Sequence, residues 1–103
     1  MFLAKVVGQV VSTQKDSRLV GQKLAVLRPL QVGDETSSSL LETKNTVVAV
    51  DACSAAVGQI VMYAQGSSAR QADGMKELPI DAAIIGIVDN VEAFSKTVYK
   101  SEK

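Results

Sequence analysis

The sequence predicts an all-β domain, a small barrel of five or six strands, and three observations carry that prediction. Valine, alanine and isoleucine arrive in short apolar runs, polar or glycine-bearing stretches separate the runs, and helical periodicity is scarce. With 103 residues, the chain spans one domain's worth, residues 1–103. That is near the lower end of the size at which a single core folds without disulfides or metals.

The first run, 3–12 (LAKVVGQVVS), is short and interrupted by Lys5 and Gln9. It has no basic flank before it and no small-residue cleavage site after it, so it reads as a strand and not as a signal peptide or membrane span. Further strands are expected at 22–30 (QKLAVLRPL), 45–51 (NTVVAVD), 58–65 (GQIVMYAQ) and 82–91 (AAIIGIVDNV), with a short one at 95–99 (SKTVY). Val32-Gly33-Asp34-Glu35-Thr36, followed by three serines, reads as an extended polar loop, and Ala72-Asp73-Gly74 as a turn. Ser67 or Ser68 is placed to cap one helical turn through Ala69, Arg70, Gln71 and Ala72, and Pro79 closes that connection.

Two runs exceed what a lone barrel needs. Ala82 to Val88 (AAIIGIV) and Val47 to Val50 (VVAV) have almost no polar face, whereas a half-exposed strand alternates. Their second face needs a cover, and in so short a chain another copy of the same chain is the expected source. The alternative is that the helical turn and the tails supply it.

Composition narrows the function. The 11 basic and 11 acidic side chains balance, so no strong field gathers nucleic acid or an anionic membrane. The absence of histidine removes the commonest general base and metal ligand. Cys53 is the only cysteine, which excludes an intrachain disulfide and fits a reduced, cytoplasmic setting. It has no basic sequence neighbour to lower its pKa and reads as a small buried hydrophobe.

Gly66-Ser67-Ser68-Ala69-Arg70 looks like an active-site turn, with two hydroxyls, a glycine and a cation. A serine nucleophile at a strand-to-helix elbow usually appears as G-x-S-x-G with a histidine elsewhere; here Arg70 replaces the last glycine. An anion cradle would lack the second glycine and the lysine of a P-loop. The better reading is a structural junction in which the serines cap and turn the chain and Arg70 forks onto a carboxylate or carbonyl, of its own chain or of a neighbour. Asp51, Asp81 and Asp89 end apolar strands and are weighed as a hard-cation site, but strand termination and turn bonding explain them better. Single-strand binding, natural for a five-stranded barrel, needs aromatic platforms among basic residues, and Phe2, Tyr63, Phe94 and Tyr99 are the only aromatics.

An ordered set of stretches resembles the pentameric vertex proteins of bacterial microcompartment shells, the EutN/CcmL type. They are Ala4 to Thr13 (AKVVGQVVST), Gly21-Gln22-Lys23-Leu24, Val48-Ala49-Val50-Asp51, Gly58-Gln59, Gly66 to Arg70, Pro79-Ile80-Asp81-Ala82 and Ile85-Gly86-Ile87-Val88-Asp89. The resemblance implies an oligonucleotide-binding-like barrel assembled as a ring of five. It implies a non-catalytic shell protein, without cofactor or metal, that fills the five-fold vertices of a polyhedral microcompartment in the cytoplasm. Its partners would be its own copies and hexameric shell proteins, with no nucleic acid or membrane. In that family a glycine-alanine-glycine loop approaches the five-fold axis; Ser54, Ala55 and Ala56 stand at the matching positions. Two added Cβ atoms, and the loss of access to positive φ at low cost, would reshape or tighten a narrow central pore. Gly66, Ser67, Ser68, Ala69 and Arg70 are the matching family signature and a candidate subunit contact. The rival function is a binding module for single-stranded nucleic acid or a small anion near Arg70, and an enzyme ranks third.

Overall fold

The computed structural model describes residues 1–12, 16–19, 21–71 and 80–101, the side chains of Ser68 and Arg70 excepted. The strands are β1 (Phe2–Val10), β2 (Leu24–Gln31), β3 (Leu41–Glu42), β4 (Val47–Asp51), β5 (Ile60–Gln65), β6 (Ala82–Ile87), β7 (Asn90–Ala93) and β8 (Lys96–Lys100). Two 3-10 segments accompany them, Ser17–Leu19 and Gly66–Gln71. The second is the expected helical turn. It begins at Gly66, ahead of both serines, and has 3-10 geometry. The turn expected at Ala72-Asp73-Gly74 and the closure at Pro79 lie outside the described residues.

Five strands close on themselves through the circuit β1-β5-β6-β4-β2-β1, and β3 adds a short flank to β2. Counting those five alone in chain order, the circuit runs 1-4-5-3-2-1, and its one parallel pairing is β4 with β6. That closed circuit is a five-stranded barrel of oligonucleotide-binding type. Strand alternation decides what goes inside. Ala4 and Val6, Ala25 and Leu27, Ala49, Val61 and Tyr63, Ala82 and Ile84 form one buried cluster, with Ala55 at its end. A five-strand barrel is narrow, and the preference for alanine follows: small residues from most strands leave room for Tyr63, Leu27 and Ile84. Each fully buried valine- or leucine-sized side chain contributes about 1.5–3 kcal/mol.

The outer face is covered only in part. Val50 and Ala83, which point away from the barrel interior, pack with Ala69 of the 3-10 turn, and Leu19, Leu24 and Ile80 surround them. The chain's own turn therefore covers that portion of VVAV and AAIIGIV, and no second copy is needed there. Val48 and Ile87 stay exposed.

The expected strand 82–91 is two strands. Val88 and Asp89 interrupt it, and β7 leaves the barrel to pair with β8 as a separate hairpin. Phe94 and Ser95 link that hairpin with φ of 52° and 60°, the two positive values a type I′ turn requires. In the loop before β3, the Asp34 carboxylate accepts the Thr36 amide and hydroxyl, and these bonds hold its pKa below the ordinary value. Glycine suits position 33 of that loop, because a Cβ there would collide with the Ser37 side chain.

Candidate functional site

The residues singled out from the sequence fall on two loops, the β4–β5 connection and the turn after β5. The first is organised by Asp51, which is 7% exposed at the end of β4. Its carboxylate accepts the Cys53 amide at 3.0 Å and the Ala55 amide at 2.9 Å. Hydrogen bonds to a charged group contribute about 1.5–3 kcal/mol each. They fold the following residues back over the barrel end, so that Ala55 enters the core while Ser54 and Ala56 face outward.

Ser54 adopts φ 56°, so the loop keeps a left-handed residue here, without the low cost that glycine would give it. That conformation costs a non-glycine residue about 1–2 kcal/mol. The amides on either side are both held by Asp51, and this pair of bonds imposes the conformation. Downstream, the Ala56 amide donates to the Gln59 side-chain oxygen at 2.7 Å and the Gly58 amide to the Val6 carbonyl at 2.8 Å, tying the loop to β1. The Lys23 ammonium lies 3.5 Å from the Ser54 hydroxyl. Sequence reasoning missed this cation, since it is 31 residues away along the chain; no local signal announces it.

Cys53 is half-buried and packs against the core cluster, with Sγ 3.9 Å from the Ile84 carbonyl oxygen. Burial pushes its thiol pKa up, and the Asp51 charge pushes it further. It remains a thiol at neutral pH and a poor nucleophile.

The three aspartates do not converge. Asp51 is turned onto its own loop amides, while Asp81 and Asp89 are exposed, one before β6 and one after it. Among the described residues no three potential metal ligands gather. The backbone carbonyls of the two exposed aspartates extend strand pairings instead: Asp81 accepts the Gly66 amide at 2.7 Å beside the last β5–β6 pair, and Asp89 accepts the Ser101 amide at 2.8 Å beside the last β7–β8 pair.

In the second loop Gly66 takes φ 67°, the conformation that favours glycine, and so turns the chain out of β5. Ala69 is fully buried against Val50 and Ala83. It is the residue of this stretch that sequence reasoning undervalued, although it is the one apolar position after the glycine. Ser67 is exposed. The roles expected of the Ser68 and Arg70 side chains lie outside the described part of the structure.

The aromatic residues do not form a nucleic-acid platform. Tyr63 points into the barrel, 2% exposed, with the Phe2 ring centroid 5.4 Å from its own, and Phe94 sits at the hairpin tip. Bases need exposed ring faces in a row along a basic groove.

The family model described as "Ethanolamine utilisation protein EutN/carboxysome" matches residues 1–89. The chain belongs to the EutN/CcmL family. Among its EutN/CcmL relatives, the bacterial microcompartment shell vertex protein GrpN of Rhodospirillum rubrum is 46% identical over 92 residues, covering 89% of this chain and 97% of GrpN. The GrpN structure, described as a pentameric microcompartment shell protein, superposes with a TM-score of 0.75 at 45% identity over 90% of this chain and 99% of that one. The CcmL structure from Gloeobacter violaceus matches the full length of both chains with a TM-score of 0.85 at 31% identity.

Proposed function

We infer that this chain is a structural shell protein whose copies close into a ring of five and fill the five-fold vertices of a polyhedral bacterial microcompartment. The observation that carries the inference is the match to GrpN, a pentameric shell protein, at 45% identity over nine-tenths of this chain. On this reading residues 1–103 are one domain with no catalytic role, no cofactor and no metal. A chain without histidine, whose one thiol has a raised pKa, favours that view. Hexameric shell proteins are the neighbours proposed for the ring, and the microcompartment shell in the bacterial cytoplasm is its proposed location. Among the described residues, no helix is long and apolar enough to cross a membrane.

Within this reading the loop bearing Ser54, Ala55 and Ala56 faces the five-fold axis, and the stretch Gly66 to Arg70 braces the subunit contact. The single-strand binding module has no observation in its favour once Tyr63 is inside the barrel. Native mass spectrometry tests the first step. The expected species has five times the 10.9 kDa chain mass, and a monomer or dimer at micromolar concentration would overturn the ring. Co-expression with hexameric shell proteins tests the second: closed polyhedra are expected with this chain, and open or elongated shells without it.

A further inference from the structure

The outer face of the barrel has a second cover, and this one is lightly fastened. Ala4, Val6 and Val61 point inward, so Lys5 and Ile60, paired across β1 and β5, point outward. Ile60 is nonetheless only 6% exposed, although it belongs to neither core cluster. Val98 is the one buried residue of the C-terminal hairpin, and with Lys5, Leu30 and Ile60 it lines a cleft of about 290 Å³. The hairpin thus does for this side of the barrel what Ala69 does for the other.

Its attachment is slight. The Val88 amide donates to the Ile60 carbonyl at 2.8 Å, and beyond that bond the chain leaves the barrel. Among the described residues, no backbone hydrogen bond joins residues 90–100 to the barrel. The hairpin's own bonds run between β7 and β8 and, at its base, from the Ser101 amide to the Asp89 carbonyl. Towards its tip a side chain supplies a tie, the Lys96 ammonium donating to the Glu35 carbonyl in the loop before β3. Unfilled space flanks the join. Tyr99 lines the first cleft and also a second of about 670 Å³, where it and Lys100 face Val57, Gln59 and Ile87. A close-packed interface leaves no such gaps, and side chains bordering them forgo much of their dispersion contact.

A segment held by few buried apolar contacts opens at a lower free energy than the whole fold. Hinges form where an element ends and a few residues can absorb the change in backbone angles. We propose that β7 and β8 form a hinged strap, which lifts from the barrel as a unit about Val88 and Asp89 and uncovers Lys5, Leu30 and Ile60 while the barrel stays folded. Closing buries Val98 and Ile60 against each other's side of the cleft again, so the strap sets how much apolar surface this face of the barrel presents. The proposal concerns a single chain and does not rest on the ring reading.

The test is hydrogen exchange of the full-length chain under native conditions, in a series of low urea concentrations. A two-stranded hairpin alone in water is marginally stable, so its amides exchange once it is off the barrel. The β7 and β8 amides are expected to exchange at a lower free energy than those of β5, with a smaller urea dependence, because lifting exposes less surface than unfolding. Val98→Ala is expected to speed hairpin exchange about tenfold, as loss of two buried methyl groups would, and to leave β5 unchanged. Thiol labelling separates lifting from fraying. The thiols of Val98→Cys and Ile60→Cys, each in a Cys53→Ala chain, stand on opposite sides of the cleft and are expected to react at matching rates with the same weak urea dependence. Hairpin exchange that follows the urea dependence of global unfolding overturns the proposal. Labelling at position 98 with position 60 still protected does so as well, since the hairpin then frays in place.

Discussion

Ser54 shows how one residue's conformation is set by its neighbours and not by its own preference. Its positive φ is held by the Asp51 carboxylate gripping the amides of Cys53 and Ala55. Glycine reaches that conformation without the Cβ penalty, at some cost in unfolded-chain entropy. Ser54→Gly should therefore stabilise the fold by about 0.5–1 kcal/mol, a rise of several degrees in the calorimetric melting temperature. An unchanged or lower value would show that the loop relaxes away from this conformation. The loop is legible in the sequence through its order of small residues after Val50-Asp51, and so is the preference for Asp51 to bond turn amides and not a cation. Which two amides it accepts is not legible, because that depends on how the loop folds back over the barrel end.

At the scale of elements, the barrel strands are legible because valine-rich alternation and buried alanines have few other uses. The expected and observed strands agree to within two residues at both ends of β1, β2, β4 and β5. The C-terminal hairpin is legible in part: the strand expected at 95–99 corresponds to β8, whereas the strand expected at 82–91 runs across Val88 and Asp89, where the chain leaves the barrel. The hairpin's turn carries Phe94 and Ser95, where a two-residue turn with positive φ favours Asn-Gly. That mismatch gives a prediction. Phe94→Asn combined with Ser95→Gly should slow hydrogen exchange of the β7 and β8 amides several-fold, corresponding to about 1–2 kcal/mol of relieved backbone strain. Faster exchange would mean that the Phe94 ring stabilises the hairpin by contacts that outweigh its conformation. Neither β3, two residues long, nor the cover provided by Ala69 can be read from periodicity, since both depend on residues distant along the chain.

For the whole molecule, the family model ends at residue 89, just before the hairpin begins at Asn90. GrpN matches nine-tenths of this chain yet is covered almost completely itself. The five barrel strands all lie within the matched part. A chain ending at Asp89 should consequently keep the barrel, with a far-ultraviolet spectrum of the same strand type and a single cooperative unfolding transition. Loss of cooperativity would make the hairpin part of the barrel's own fold. The neutral charge balance and the missing histidine narrow the function from composition alone. They do not indicate which outer face is bare, because that depends on which apolar side chains the 3-10 turn happens to reach.

The pairing of β4 with β6 has a mechanical consequence. Those strands meet over two residue pairs, Val50 with Ala83 and Asp51 with Ile84, fewer than any other junction in the closed circuit. It is also the one parallel pairing of the circuit, a kind that needs a crossover connection and forms slowly in folding. The barrel is thus a band with a short clasp. Stretched around its girth, it parts first between β4 and β6, where Ala69 lies across the join, while the long antiparallel pairings hold.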